Sequence, residues 1–382
     1  IIEITDIGTS SAAGVTGATA IGNTSTTTLT LDGTVYTTTG QQTYTAKSGQ
    51  NIDITNTAGT TFTTTNTAVA FNTAGVDLAN SATTTVDTGT GAGAVTFQGA
   101  IETNGSDDDV LTITSGTGAV TFSGAIGVTE ELGGLNVNAS SGSGVITFSS
   151  TIGDTSGGAG VIGTTAIGNA ETSDLNFNAA SYSFDGETTI TAASGDTVDM
   201  GALAATSFTT AGDNITFATG NIELLDGSNL TVDTGAAGGN ITIGEIAGHS
   251  VETVTLDAGT GTTSVGVIGT GTEIGALSIG SSDNGGITLN GAITTDGIVD
   301  LDGPITLATG AITITTSDNA INLEGTVDGG QALTLSSGTA KVTANGAIGS
   351  GTALTSLTVN SAGSGIIEIT DIGTSSAAGV TG

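Results

Sequence analysis

Residues 124–153 read GAIGVTEELGGLNVNASSGSGVITFSSTIG. Short apolar–polar alternations (LNVN, VITF) stand between clusters of Gly, Ser and Thr. Period-two alternation over four or five residues marks a strand with one buried face, and the clusters supply turn chemistry. The same grammar returns at 346–373, GAIGSGTALTSLTVNSAGSGIIEITDIG, and at 266–293, GVIGTGTEIGALSIGSSDNGGITLNGAI. Weaker copies start at Ala166 and Ala20.

The three strong copies share a ruler. Nine residues separate Ile348 from Leu357, Ile126 from Leu135 and Ile268 from Leu277. The next strand begins at Ile367, Ile146 and Ile287, and a further isoleucine follows at Ile372, Ile152 and Ile293. A second ruler, with strand starts about ten residues apart, runs through 111–127 and 230–246. No stretch keeps helical spacing, and Thr and Gly are poor helix formers.

Strands this short, joined by Gly-rich arcs, predict an all-β chain folded as a right-handed parallel β-helix, an elongated β-solenoid rod. A coil of about 20–25 residues gives on the order of 16 coils. A string of small β-sandwiches is the rival, but sandwiches need longer strands and about 100 residues each. Asn136, Asn138, Asn176, Asn178 and Asn360 are expected to stack as side-chain ladders.

Composition supports order rather than disorder. Among 382 residues there are 64 glycines, one proline and no cysteine or tryptophan, and mean hydropathy is +0.26. The formal net charge is −34, yet charged residues make up only 10%. The imbalance comes from missing bases: Lys47 and Lys341 stand alone, with no arginine. Nucleic acid is excluded as a partner, since phosphate binding needs Lys and Arg, and an anionic membrane surface repels such a chain. No run of about 20 apolar residues is present to insert in a bilayer.

The string IIEITDIGTSSAAGVTG occupies Ile1–Gly17 and again Ile366–Gly382, an offset of 365 residues. Residues 1–365 are therefore expected to be one period of a tandem solenoid, and 366–382 the start of the next. Neither end has the look of a polar cap.

The repeated GAIG…LTVN…G-x-I-x-F grammar resembles the strand-repeat regions of giant bacterial surface and secreted proteins, in the style of filamentous-haemagglutinin-like adhesins. That resemblance implies a prokaryotic, extracellular or cell-surface β-solenoid serving as fibre or stalk, with itself as its partner through head-to-tail continuation and lateral bundling. It carries over no catalytic residue. The alternative is an adhesin whose solenoid face contacts carbohydrate or neighbouring cells.

Candidate chemistry is sparse. His249 is the only histidine, so any Ser–His–Asp triad must use it, and one histidine makes no zinc site. No catalytic residue is assigned, no cofactor is required, and the expectation is no enzyme activity. Asp107, Asp108 and Asp109 crowd one turn, and carboxylates with turn carbonyls suit Ca²⁺; a solvated acidic turn is the plainer reading. The T-x-T runs at 24–39 and 60–68 suit an ice-ordering face, but they do not recur at one coil spacing, and Thr simply favours strands.

Overall fold

The computed structural model describes residues 1–79, 81–105, 108–154, 158–201, 205–249, 251–280, 285–360 and 365–381. The described residues form strands and turns with no helix, and the strands pair in parallel as a β-solenoid of about fifteen turns. The chain divides into two compact units, Ile1–Asp199 and Met200–Gly382.

In the first unit a coil has three faces, most of them carrying a short strand. The first face stacks Ile2, Leu29, Ile52, Val76 and Ile101 in parallel register. Single bridges continue that column through Ile126 and Ile152 to Tyr182. The second face stacks Tyr36, Phe62, Val86, Ile113, Val137, Ile167 and Ile190. The third stacks Ile21, Tyr44, Phe71, Phe97, Phe122, Phe148 and Phe177. Alternate residues point inward, so many strands show a buried–intermediate–buried pattern, as in Val95–Phe97 and Val120–Phe122.

The third face builds an aromatic ladder. Successive rings from Tyr44 to Phe177 lie 5.3, 4.8, 5.6, 4.8 and 5.3 Å apart, with interplanar angles of 18° or less. Parallel strands about 4.8 Å apart hold side chains at near-stacking distance, so an aromatic in one coil selects an aromatic in the next. Tyrosine hydroxyls at the ladder's first coils are all bonded. Tyr36 Oη donates to the Ile4 carbonyl at 2.7 Å and accepts the Gly33 N–H at 2.9 Å, while Tyr44 Oη donates to Gln42 Oε1 at 3.0 Å.

The second unit also has three faces, and beyond Phe208 and Phe217 its core is aliphatic. Its first face stacks Thr206, Leu230, Val254, Leu277, Val299, Ile321, Val342 and Ile367. Its third stacks Ile222, Ile246, Ile268, Ile293, Ile314, Leu335 and Val359. Seven steps take the first unit from Ile2 to Tyr182, about 26 residues each, whereas seven steps from Thr206 to Ile367 take 23 each. Coil length does not set the residue type, since the 23- and 24-residue steps from Leu29 to Ile52 and from Ile52 to Val76 hold Tyr36, Tyr44, Phe62 and Phe71.

The sequence ruler measures one coil. Ile126 bridges Ile152, Ile348 bridges Ile372, and Ile268 pairs with Ile293. The three copies begin on different faces: Ile126 on the first, Ile348 on the second, Ile268 on the third. The grammar therefore describes a side and its corner, not a fixed station in the coil.

Corners are made by acids and hydroxyls. Asp87, Asp233 and Asp257 each accept the N–H of the glycine two residues on, at 2.8, 2.7 and 2.9 Å. Those glycines, Gly89, Gly235 and Gly259, have φ of +79°, +72° and +52°, a region closed to most side chains. The asparagines do not stack on one another. Asn136 lies between Thr112 and Ala166. Asn138 sits at φ +51° and donates to Ser115 Oγ at 3.0 Å, which makes it a corner residue.

The ladder sets the first testable expectation. Phe122→Ala removes a ring stacked on both sides and lowers stability by about 3–5 kcal/mol, and Phe122→Leu by about 1–2 kcal/mol. Thr121→Ala, on the outward side of the same strand, changes it by under about 0.5 kcal/mol. Urea midpoints measure the series; equal effects at 121 and 122 would remove the ladder as a stabilising element.

Candidate functional site

The acidic turn predicted as a calcium candidate lies where the first unit's coil approaches its second face. Asp107 lies outside the described residues. The other two carboxylates reach back one coil. Asp108 accepts the Ser81 N–H at 3.0 Å and the Ser81 hydroxyl at 2.7 Å. Asp109 is fully buried, and its Oδ1 accepts the Ala82 N–H at 3.2 Å. The structure thus brings Asp108 and Asp109 together on the Ser81–Ala82 backbone. Burial pushes the Asp109 carboxyl up to about 6; the neighbouring Asp108 charge adds to this, and backbone N–H donors partly offset it. Among the described residues no three His, Cys, Asp or Glu side chains gather closely enough to hold a metal ion.

His249 stands in a corner of the second unit. Its Nε2 lies 3.8 Å from Glu223 Oε1, with both side chains about half exposed. The organising group of that corner is Glu252, which is fully buried. Its carboxylate accepts N–H groups from Gly227 at 2.9 Å, His249 at 2.6 Å and Val251 at 3.3 Å. Burial pushes Glu252 up, but these donors outweigh it and hold the carboxyl below its ordinary range. His249 is fixed through its backbone, and among the described residues its ring forms the loose pair with Glu223.

The same use of acids recurs, unseen from sequence. Glu102 accepts N–H groups from Val128, Thr129 and Glu130 at 3.1–3.3 Å. Asp328 accepts those of Gly351 and Thr352 at 2.7 and 2.9 Å, and Asp318 that of Thr339 at 2.7 Å. Each partner lies 21–28 residues away, one coil along, so no local motif announces it. Elsewhere acids face one another. Asp53 pairs in register with Asp77, and burial raises the pKa of both, with the Asp77 charge adding at Asp53.

Open recesses lie between coils. One is lined by Thr34, Thr57, Thr61, Ser81, Thr83 and Thr85, with no titratable side chain in its wall. All three tyrosines and all nine phenylalanines are in the core, which leaves no aromatic ring to stack on a sugar.

The arrangement defines a parallel β-solenoid whose polar side chains are largely spent on holding coils together. No family model, curated protein or solved structure matches the chain.

Asp109 yields a pH expectation. Its folded pKa lies above the unfolded value of about 3.9, so the folded chain binds the proton more tightly. Stability is greater below that range and falls as pH rises through about 4 to 6. Asp53, Asp77 and Asp300 act in the same direction, and Glu252 opposes them only at lower pH. Thermal melts should give a higher midpoint near pH 5 than at pH 7.5. Asp109→Asn should flatten that slope by about 1–2 kcal/mol, after allowance for screening at the exposed Asp108. A midpoint that climbs steadily with pH would contradict this account.

Proposed function

We propose that this chain is a structural element: a tandem period of an extracellular or cell-surface β-solenoid fibre or stalk, whose periods stack head to tail. The single observation that carries the reading is the run of like-on-like columns, Phe on Phe and Ile on Ile, through successive coils of each unit. Such columns commit the inward residues to continuation of the fold. The outward residues, mainly Thr, Asn, Asp and Ser, commit to the turns and to the next coil. The resemblance to bacterial strand-repeat regions supports the same reading, as does the paucity of bases, which leaves the surface repulsive to membranes and nucleic acid. The reading assigns no catalytic role and requires no cofactor. Ca²⁺ belongs to it only as a bridge between acidic fibres. The adhesin alternative gains nothing from the buried aromatics.

Electron microscopy of a chain holding several 365-residue periods tests the proposal. Unbranched filaments of uniform width are expected; beads on thin links would overturn it.

Proteolysis gives a second measurement. Lys341 immediately precedes Val342, which is fully buried and donates its N–H to the Ile366 carbonyl at 2.9 Å. Lys47 is exposed, but its N–H bonds Thr26 and its carbonyl bonds Gln50, at 2.8 and 3.0 Å. Native trypsin digestion should leave the chain intact for hours, with the Lys47–Ser48 bond the first to yield. Rapid release of a 48–341 fragment would show the coil at Lys341 to be open and would weaken a load-carrying role.

A further inference from the structure

The third face of the first unit turns uncharged side chains outward. Six successive coils place a strand there, from Thr19–Gly22 to Ile146–Phe148. Their middle outward positions form one register column: Ala20, Thr43, Ala70, Thr96, Thr121 and Thr147. The residues just before the strands form a second. Ala68, Ala94, Ala119 and Val145 accept the N–H groups of Gln42, Val69, Val95 and Val120, each at 2.9 Å. A third column starts with Thr45 and Asn72. It continues with Gln98, Ser123 and Ser149, which donate N–H groups to Phe71, Phe97 and Phe122 at 3.0, 2.8 and 2.8 Å. Directly behind stands the aromatic ladder, which holds these strands at one spacing.

The acids of the same coils stand elsewhere. Asp53, Asp77 and Glu102 share the outward column of the first face. Asp87 ends a strand of the second face and is turned onto the Gly89 N–H. Asp108, Asp109, Glu130 and Glu131 lie in the corner that joins the first face to the second. The corner leading into the third face is closed by hydroxyls instead. Thr88 Oγ1 and Ser115 Oγ donate to the Gly93 and Gly118 carbonyls, each at 2.6 Å, and Thr64 Oγ1 donates to that of Thr67. Lys47, the one base of this unit, borders the face just after strand Gln42–Thr45.

Charge then decides where copies can meet. With a net charge of −34 and two bases, a contact between acidic faces sets like charges together uncompensated. The third face carries no such penalty, and repulsion from acids elsewhere is screened over about 8 Å at physiological salt. Its Ala, Thr and Ser side chains are short, so two such sheets can close to about 10 Å.

We propose that the uncharged third face of the first unit binds the same face of a second copy, pairing chains side by side without a bridging cation. The inference rests on the structural reading above and adds the surface through which fibres associate laterally. The contact is isologous, since one face serves both copies. Six coils at strand spacing and a strand of about five residues give about 450 Å² per copy. A standard stable interface takes about 800 Å² per partner. One pair of faces is therefore short-lived, and successive periods in one fibre multiply it into a lasting contact.

The chain has no cysteine, so one introduced thiol reports a short-lived contact by trapping it. Thr96 lies mid-face; Thr112, partly exposed to the same degree on the second face between Thr85 and Asn136, is the control. Full-length Thr96→Cys and Thr112→Cys chains are oxidised separately at equal concentration. Each disulfide-dimer rate is divided by that thiol's rate with iodoacetamide, which removes differences in intrinsic reactivity. Thr96→Cys should dimerise at least about tenfold faster. Adding Thr121→Asp, or the milder Gln98→Glu should the first variant fold poorly, should abolish the excess. Adding Thr114→Asp, the same charge on the second face, should leave it, as should a Ca²⁺ chelator. Equal rates for the two thiols overturn the proposal and leave the face to solvent or to a partner of another kind. So does an excess that survives the added charge, which places the contact elsewhere, or one that the chelator removes, which routes it through acids. Filament images decide the structural reading separately: single filaments with equal rates keep the fibre and remove the interface, and beads with the excess keep the interface and remove the fibre.

Discussion

Everything in this chain follows from one constraint: a residue's nearest neighbour in the next coil is bonded to it through the backbone at a fixed strand spacing. Parallel pairing sets that spacing near 4.8 Å, which favours like on like within a column, although Phe62 also stands on Val86 and Ile21 on Tyr44. Phe97 therefore stands between Phe71 and Phe122, and Ile268 between Ile246 and Ile293. The third face of the first unit continues as a column of rings, and that of the second as a column of Ile, Leu and Val.

The same constraint explains how a chain with so few bases carries so many acids. A solenoid corner leaves N–H groups that no ladder partner receives. Here carboxylates receive them, locally at Asp87 and Asp233 and across coils at Glu102, Asp328 and Glu252. A carboxylate accepts several N–H bonds with charge-assisted strength, so it closes a corner without a cation. Where burial outweighs donors, as at Asp109, the acid is instead pushed toward its neutral form. Acid placement is an architectural matter first, and the large negative charge is its by-product.

Much of this was legible in the sequence, because strand alternation and Gly-rich corners are local. The nine-residue ruler and the returning isoleucine proved to be one side and one full coil. What the sequence hid was everything between coils. The motif AVTF at Ala94–Phe97 and again at Ala119–Phe122 was visible as a strand, but its partner sits a variable 25 or 26 residues away, so the column of rings was not. For the same reason asparagines at similar strand positions looked like a ladder. Asn136 and Asn176 in fact lie on different faces, in register with Thr112 and Thr147. At the acidic turn the groups that receive Asp108 and Asp109, Ser81 and Ala82, lie one coil back and were hidden in the same way.

A solenoid coil has two sides, and parallel pairing assigns alternate backbone groups to each. The seventeen-residue segment shows both assignments in a single chain, once with the following coil and once with the preceding one. A segment that lies between two coils has to satisfy both sides at once, in a fixed register and with a turn that holds its shape alone. A single strand does not meet that requirement, since slippage by one residue would turn its core side outward. A segment with a strand, a glycine-dependent turn and two charges aimed in opposite directions does meet it. Its register is pinned at Val35 on one side and Lys341 on the other, so strand, turn and charges act together to fix how the segment meets its neighbouring coils.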